Sequence, residues 1–299
     1  MIPQRTLNHS IRCSGIGLHS GKKIQLVLHP ADEDTGITFS RSDLDITIPA
    51  SSEFVTDTRL CTTIGKDGAN ISTVEHLLSA LAGLGIDNAH IEVSGPEVPV
   101  MDGSSAPFVF LIQCAGIKEQ SKAKRVLRVL KKVEVQEGNK RCSLHPASGF
   151  KISYLLDYDH PLLRDRQVSI DFARQAYTRE ISHARTFGFL HEVEALQKAG
   201  LALGGSLENA IVLDQYRVVN ETGLRYEDEC VRHKILDTLG DLSLSGFPIV
   251  GAFEGERTGH DMNHRLVTAL LADESAWRIE ELQAEPESVE AVAGQLATS

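Results

Sequence analysis

The feature that most constrains the fold is a pattern that occurs once in each half of the sequence. His76 is followed by Gly83 seven residues later, and His233 is followed by Gly240 at the same spacing. In both halves a predicted strand begins or lies 15 to 17 residues after the histidine, and an apolar helix follows it. The repeat predicts an internal duplication, with two similar α+β domains, each a sheet plus helices, facing each other. The alternative is that the repeated spacing arose by chance, because a helix followed by a glycine and a strand is a common arrangement.

Apolar periodicity predicts the individual elements. In the first half it indicates strands over 22–30, 36–40, 45–49 and 89–93, a helix over 72–85 capped by Ser72, and a helix over 106–115. In the second half it indicates strands near 126–136, 150–157, 210–213 and 248–253, with helices near 190–199, 229–244 and 262–272. The charged run at 118–125 is typical of a domain boundary. We therefore expect domains over 1–124 and 125–275 and an acidic C-terminal tail over 276–299.

The charge distribution argues against a nucleic-acid partner. The chain has a formal net charge of −11, and residues 273–299 carry −6 of it through seven acidic residues and one arginine. A non-specific nucleic-acid binder needs a basic stripe, which this composition does not indicate. An anionic substrate must therefore be held by a few placed lysine and arginine side chains.

Cysteine usage and hydropathy indicate a cytoplasmic protein. The five cysteines are widely spaced, are odd in number and form no CxxC pair, which argues against a disulfide framework or a cysteine-type zinc site. The first residues contain no apolar leader, and no apolar run approaches the roughly 20 residues of a membrane span. We expect no stable membrane insertion.

Histidine and carboxylate residues with helical spacing indicate a metal site. His233, Asp237 and Asp241 are four residues apart in sequence, so they lie along one stripe of a helix. His76 would supply a further ligand, and its neighbour Glu75 points about 100° away, as suits a base beside a ligand. Two histidines and one aspartate leave a fourth position open, as in catalytic zinc sites. Each piece alone also fits a solvated helix face.

Several long motifs in a fixed order resemble one known family. They are TVEHLLSALAGLGIDNAHIEV at 73–93, PVMDGSSAPFVFLI at 99–112, SHARTFGF at 182–189, LALGGSLENAIV at 201–212 and GLRYEDECVRHKILDTLGDL at 223–242. With them the chain closely resembles the UDP-3-O-acyl-N-acetylglucosamine deacetylase family, except in the acidic tail. The resemblance implies a zinc-dependent amidase that removes acetate from UDP-3-O-(3-hydroxyacyl)-N-acetylglucosamine, the committed step of lipid A biosynthesis in Gram-negative bacteria. It also implies that the site lies between the helix layers of the two domains.

The resemblance assigns roles to single residues as well. The residues that match the family's zinc ligands are His76, His233 and Asp237. The residues that match its catalytic groups are Glu75 as general base, His260 as the second catalytic residue, Asp241 as the carboxylate that orients it, and Lys234 and Thr186 as contacts of the substrate and the developing oxyanion. On its own, His260 fits an ordinary loop histidine.

Substrate contacts are expected mostly in the second half. Tyr158 matches the base-stacking aromatic, which is often phenylalanine in relatives, and Lys140 and Arg257 would keep positive charge near the diphosphate. The extra segment with Leu190 and Ala202 is expected to hold the acyl chain next to the zinc, and its alternative is a β-α-β excursion packed on its own domain. The other expected contacts are Phe187, Ser206, Leu207 and Val212.

Two other functions stay open at this point. One is a zinc amidohydrolase that acts on another substrate class, and the other is a non-catalytic scaffold that zinc stabilises. For the deacetylase, the expected partner is a small-molecule UDP-sugar that carries an acyl chain. We expect a monomer.

Overall fold

The first half of the chain builds a five-stranded sheet. The computed structural model describes residues 1–172 and 177–283. In order across the sheet, the strands are β2 (Ile11–Ile16), β3 (Lys23–Pro30), β9 (Ala89–Val93), β4 (Ile37–Arg41) and β5 (Ile46–Pro49). The central β9 pairs antiparallel with β3 and parallel with β4. Alternate residues of β3 and β9 are buried, so one face of the sheet covers the core.

The second half repeats this arrangement strand for strand. Its strands are, in the corresponding order, β12 (Val133–Glu137), β13 (Lys140–His145), β18 (Ile249–Glu256), β14 (Phe150–Leu156) and β15 (Arg166–Asp171). The central β18 pairs antiparallel with β13 and parallel with β14, as β9 does with its neighbours. The same order and the same directions in both sheets confirm the predicted internal duplication and the α+β class.

Helices also occupy equivalent places in the two halves. Helix α1 (Glu75–Gly83) precedes β9, and α2 (Ala106–Ala115) follows it. In the second half, α4 (Glu229–Ser243) precedes β18, and α5 (His260–Ala272) follows it. In each half the first strand also pairs with the last. These pairs are β1 (Pro3–Leu7) with β10 (Ile117–Ala123), and β11 (Arg125–Val129) with β19 (Trp277–Glu281).

Smaller elements lie at the edges of this frame. A 3₁₀ turn (Ser52–Phe54) leads into a three-stranded sheet of β6 (Val55–Asp57), β7 (Thr63–Lys66) and β8 (Ala69–Ile71). A π-helical turn (Tyr177–Ile181) precedes a β-α-β unit of β16 (Phe187–Phe189), α3 (Leu190–Lys198) and β17 (Ile211–Leu213). Among the described helices, none combines the length and the apolar character that a bilayer-spanning segment needs.

The two halves meet through α1 and α4. The repeated glycines, Gly83 and Gly240, allow close packing around α1. A Cβ on Gly240 would lie 2.1 Å from the carbonyl oxygen of Glu75, so α4 can reach the first turn of α1 only with glycine there. A Cβ on Gly83 would lie 2.2 Å from the ring of Tyr177, which packs on the other end of α1. Both glycines are therefore required by close packing rather than by their backbone dihedral angles.

Two sequence predictions are wrong in detail. Ser72 does not cap α1, because its backbone is hydrogen-bonded to the segment 96–98, and the helix begins at Glu75. Most of the charged run at 118–125 lies in β10. The acidic tail does not begin at 276, because β19 pairs along its whole length with β11. The boundary near 124 stays a prediction, and residues 284–299 lie outside the described part of the chain.

We expect Gly240→Ala to lower the free energy of unfolding by about 1–3 kcal/mol, because the added methyl group forces α1 away from α4. Gly149→Ala is the matched control, since a Cβ there meets nothing within 4 Å. Chemical denaturation of both variants measures the difference. Equal stability of the two variants would contradict the packing argument.

Candidate functional site

Three ligand atoms from the two halves converge between α1 and α4. The Nε2 atoms of His76 and His233 lie 3.5 Å and 3.2 Å from Oδ1 of Asp237. His76 is in the first turn of α1, whereas His233 and Asp237 are one turn apart on α4, so that the packing of the helices assembles the group. All three side chains are buried. This group can hold a metal ion.

The hydrogen bonds and charges of the three residues fit a metal ion. The backbone carbonyl of Ala184 lies 3.0 Å from Nδ1 of His233, which leaves Nε2 of that ring free to coordinate. Oδ1 of Asp237 is buried and has no hydrogen-bond partner among the described residues. A tetrahedral zinc ion with bonds of about 2.0–2.1 Å would separate its ligand atoms by roughly 3.3 Å, close to the two distances.

Burial and charge favour the protonation states that a metal needs. Burial lowers the pKa of His233 to about 3, so its ring is neutral at neutral pH. Burial opposes ionisation of Asp237, but His233 and Lys234 outweigh it and hold the pKa of this carboxyl well below its usual range. A neutral imidazole and an ionised carboxylate are the forms in which these side chains bind metals.

Glu75 lies beside the ligand group but points to a different partner. One of its carboxylate oxygens accepts a hydrogen bond from the backbone N–H of Thr62 at 3.1 Å, and the other lies 3.8 Å from Nε2 of His260. Burial raises the pKa of Glu75 to about 7. A carboxyl group with that pKa can accept and return a proton at neutral pH.

His260 begins α5 and is held by a carboxylate from α4. Its Nδ1 lies 2.9 Å from Oδ2 of Asp241, and Nδ2 of Asn263 donates to the same oxygen at 2.9 Å. Burial disfavours the charged ring, but Asp241 outweighs it and raises the pKa of His260 to about 9. The ring is therefore protonated at neutral pH, with Nε2 directed towards Glu75.

A lysine next to the ligands adds a fixed positive charge. Nζ of Lys234 donates to Oδ2 of Asp237 at 2.7 Å and lies 5.7 Å from the centre of the Phe187 ring. Burial opposes its charge, but Asp237 outweighs burial and raises the pKa of Lys234 above its usual range. Lys234 therefore keeps its proton throughout the range in which the other groups titrate.

The chain at the start of β16 brings two further expected residues, Thr186 and Phe187, towards the site. The backbone N–H of Thr186 donates to the carbonyl of Gly103 at 2.8 Å, which ties this segment to the first half. The ring of Phe187 lies 6.4 Å from that of His233. Tyr158 is 41% exposed, and its ring packs edge-on against Phe187 at 6.2 Å. An aromatic surface therefore borders the ligand group.

Neither of the other expected cations, Arg257 and Lys140, has a hydrogen bond or ion pair with the three ligand residues in the described part of the chain, and they differ in their surroundings. The guanidinium of Arg257 donates to Asp157 at 2.6 Å and 2.9 Å. Lys140 is exposed at the start of β13, and no hydrogen bond or ion pair joins it to the other expected site residues in the described part of the chain. The structure therefore does not bring Lys140 to the buried group.

The remaining expected contacts lie in or beside the β-α-β unit. No residue of α3 is fully buried: Leu190 is 50% exposed, whereas Val193 and Leu196 on the same predicted apolar face are half-buried. Backbone N–H groups of Leu203 and Gly204 donate to the carbonyls of His19 and Leu18, which joins the unit to the first half. The other expected residues of this unit are Ala202, which has a φ of 53°, half-buried Val212 in β17, and exposed Ser206 and Leu207.

Comparison with known proteins identifies the family. The family model described as UDP-3-O-acyl N-acetylglycosamine deacetylase matches residues 4–272. This chain belongs to that deacetylase family. A UDP-3-O-acyl-N-acetylglucosamine deacetylase of Acidithiobacillus ferrooxidans is 55% identical over 281 residues, which cover 93% of this chain and 92% of the relative. One of Marinobacter nauticus is 52% identical over 283 residues, which cover 93% of each protein.

Sequence reasoning missed two residues at the site of this deacetylase-family chain. His19 has two buried ring nitrogens with no hydrogen-bond partner among the described residues, and burial lowers its pKa. It lies in the glycine-rich segment 14–21, and no helical spacing links it to the other histidines. Thr62 contacts both Glu75 and Asp241, and no spacing in the sequence points to it.

A buried ion pair supports the segment that carries Ala184 and Thr186. Arg185 donates to both oxygens of Glu229 at 2.9 Å and 3.1 Å, and both side chains are almost fully buried. Glu229 also accepts the backbone N–H of Arg185 at 3.0 Å. The start of α4 therefore holds the segment whose Ala184 carbonyl contacts His233.

We expect Glu229→Ala to lower the free energy of unfolding by about 3–5 kcal/mol, because the buried charge of Arg185 loses its partner. Glu119→Ala removes the exposed partner of Arg5 and serves as the control, with an expected loss of about 1 kcal/mol or less. Chemical denaturation distinguishes the two. If both variants lose the same small amount, Arg185–Glu229 does not support the segment.

Proposed function

We propose that this protein is a zinc-dependent amidohydrolase that removes the acetyl group of UDP-3-O-(3-hydroxyacyl)-N-acetylglucosamine. The products are the free amine and acetate, and the reaction is the committed step of lipid A biosynthesis. The observation that carries the proposal is the convergence of His76, His233 and Asp237 beside Glu75 and His260, in a chain of the deacetylase family.

His76, His233 and Asp237 would hold the zinc ion. When bound, zinc supplies a Lewis acid that polarises the amide carbonyl and makes water nucleophilic near neutral pH. The unpaired Oδ1 of Asp237 and the fixed orientation of His233 support this ligand set.

Glu75 would act as the general base. Its carboxylate accepts a proton from the attacking water, and its raised pKa matches that role near neutral pH. Glu75 is held by the N–H of Thr62 rather than by the ligand group, so that base and ligands are separate residues.

His260 would act as the general acid. Held by Asp241, its protonated ring can donate from Nε2 to the nitrogen of the leaving glucosamine. Lys234 and the hydroxyl of Thr186 would stabilise the oxyanion that develops during attack. Lys234 is suited to this role because it keeps its charge beside Asp237.

The substrate would lie along the second half of the site. Tyr158 would stack on the uracil base next to Phe187, and Arg257 would approach the diphosphate. The acyl chain would follow the apolar side chains of the β-α-β unit, with exposed Leu190 and Leu207 and half-buried Ala202 among them. Each buried methylene group contributes about 0.8 kcal/mol, so a long chain adds much of the binding free energy. The five free cysteines support a cytoplasmic location.

Replacing the ligands and the base should separate metal binding from catalysis. We expect His76→Ala, His233→Ala and Asp237→Ala each to lose zinc and activity together, because each variant removes one of three ligands. Glu75→Gln should keep its zinc and lose at least about 100-fold in kcat, in the range for a general base. Elemental analysis and a deacetylase assay on the same samples measure both quantities, and competition by other UDP-sugars tests the substrate class.

Two results would contradict this assignment. Full zinc content in all three ligand variants would place the metal elsewhere. Unchanged deacetylase activity of Glu75→Gln would assign the general base to another residue.

The pH dependence should have two limbs. Glu75 must be ionised, so kcat/KM should rise as the pH passes the pKa of about 7. His260 must be protonated, so kcat/KM should fall as the pH passes about 9. We expect a bell-shaped profile in the wild type and loss of the alkaline limb in His260→Gln, which has no proton to lose. An unchanged alkaline limb in this variant would assign the acid to another residue.

A further inference from the structure

Thr62 contacts the expected base and the carboxylate behind the expected acid at the same time. Its backbone N–H donates to Glu75 at 3.1 Å, and its side-chain hydroxyl donates to Oδ1 of Asp241 at 2.5 Å and lies 3.3 Å from Nδ1 of His260. Its carbonyl accepts the N–H of Val74, the residue that precedes α1. Thr62 is 1% exposed and lies immediately before β7. The N–H and hydroxyl of Thr62 therefore contact site residues, and its carbonyl contacts the residue before the helix that carries Glu75.

The contact between Thr62 and Asp241 joins the two halves of the protein. Thr62 belongs to the first half and Asp241 to α4 of the second, 179 positions further along the chain. Asp241 uses its other oxygen, Oδ2, for Nδ1 of His260 and for Nδ2 of Asn263. The hydroxyl of Thr62 is therefore the side-chain donor that the described structure gives to Oδ1, and it completes the partners of this buried carboxylate.

We propose that Thr62 is a positioning residue, which acts through Asp241 to keep His260 in register with Glu75. The inference rests on the proposed function. With Oδ1 tied to Thr62, the carboxylate cannot turn about its Cβ–Cγ bond, so Oδ2 stays aimed at Nδ1 of His260. Nε2 of the ring then stays 3.8 Å from Glu75, on the side where both groups can reach a substrate. Thr62 itself need not touch the substrate.

Thr62→Val removes the hydroxyl at almost constant volume, and Thr62→Ser keeps it. A hydrogen bond to a charged group is worth enough to change kcat by about 10- to 100-fold, which we expect for the valine variant. KM and zinc content should stay unchanged, because Thr62 is neither a ligand nor in contact with the expected substrate groups. The serine variant should recover most of the lost kcat.

Thr63→Val is the matched control. Thr63 is the next residue, is also buried, and donates its hydroxyl to Ser72 instead of to a site residue. The Thr63→Val variant should lose as much free energy of unfolding as Thr62→Val and keep the wild-type kcat. The proton NMR signal of the His260 Nδ1–H, shared with Asp241, gives a readout that stability alone does not move. We expect this signal to shift in Thr62→Val and to stay in place in Thr63→Val.

A double-mutant cycle decides whether Thr62 acts through Asp241. In an Asp241→Ala background the hydroxyl has no carboxylate to hold and keeps only its 3.3 Å contact with Nδ1 of His260. If Thr62 acts through Asp241, Thr62→Val should cost less than about twofold more there, whereas a direct effect on His260 would keep its full cost. If its full cost persisted there, or if Thr62→Val kept wild-type kcat, the positioning role would be overturned. If the valine variant does not fold, the kcat of Thr62→Ala is compared with that of Thr62→Ser, which keeps the hydroxyl. A wild-type protein without deacetylase activity would overturn the proposed function instead, and the NMR comparison would still test Thr62.

Discussion

The close contact between α1 and α4 is the constraint on which the rest of the site depends. Gly240 lets the backbone of α4 approach the carbonyl of Glu75, and this approach brings His76 within 3.5 Å of Asp237. Neither half holds the ligand group alone, since α1 supplies one ligand and α4 supplies two. The duplicated fold therefore presents two equivalent helices face to face, each with a histidine of the group seven residues before its glycine, and α4 adds Asp237.

Burying so many charged groups in one interface is costly unless each has a partner. Asp237 is compensated by Lys234, and Asp241 by His260 with help from Asn263 and Thr62. Oδ1 of Asp237 and Nδ1 of His76 lack hydrogen-bond partners within the described residues. The unpaired oxygen of Asp237 lies where the three ligand atoms converge. A bound metal ion would supply the partner that this buried oxygen lacks.

The duplication and most helices could be predicted because they depend on local periodicity and on two glycines at equal spacing. The ligand group followed from helical spacing and from the family motifs. Ser72 was mistaken for a cap because its pairing with the segment 96–98 is not a local property. Strand β19 was hidden by the acidic composition around Trp277 and Ile279. Thr62 could not be found from the sequence, since its partner lies in the other half of the chain.

Stepwise addition of zinc to metal-free protein tests the central claim most directly. Hydrolysis of UDP-3-O-(3-hydroxyacyl)-N-acetylglucosamine, followed as equal amounts of acetate and free amine, should rise in proportion to bound zinc and stop rising at one equivalent. Full hydrolysis by metal-free protein would contradict the account. So would the binding of one equivalent of zinc without any release of acetate.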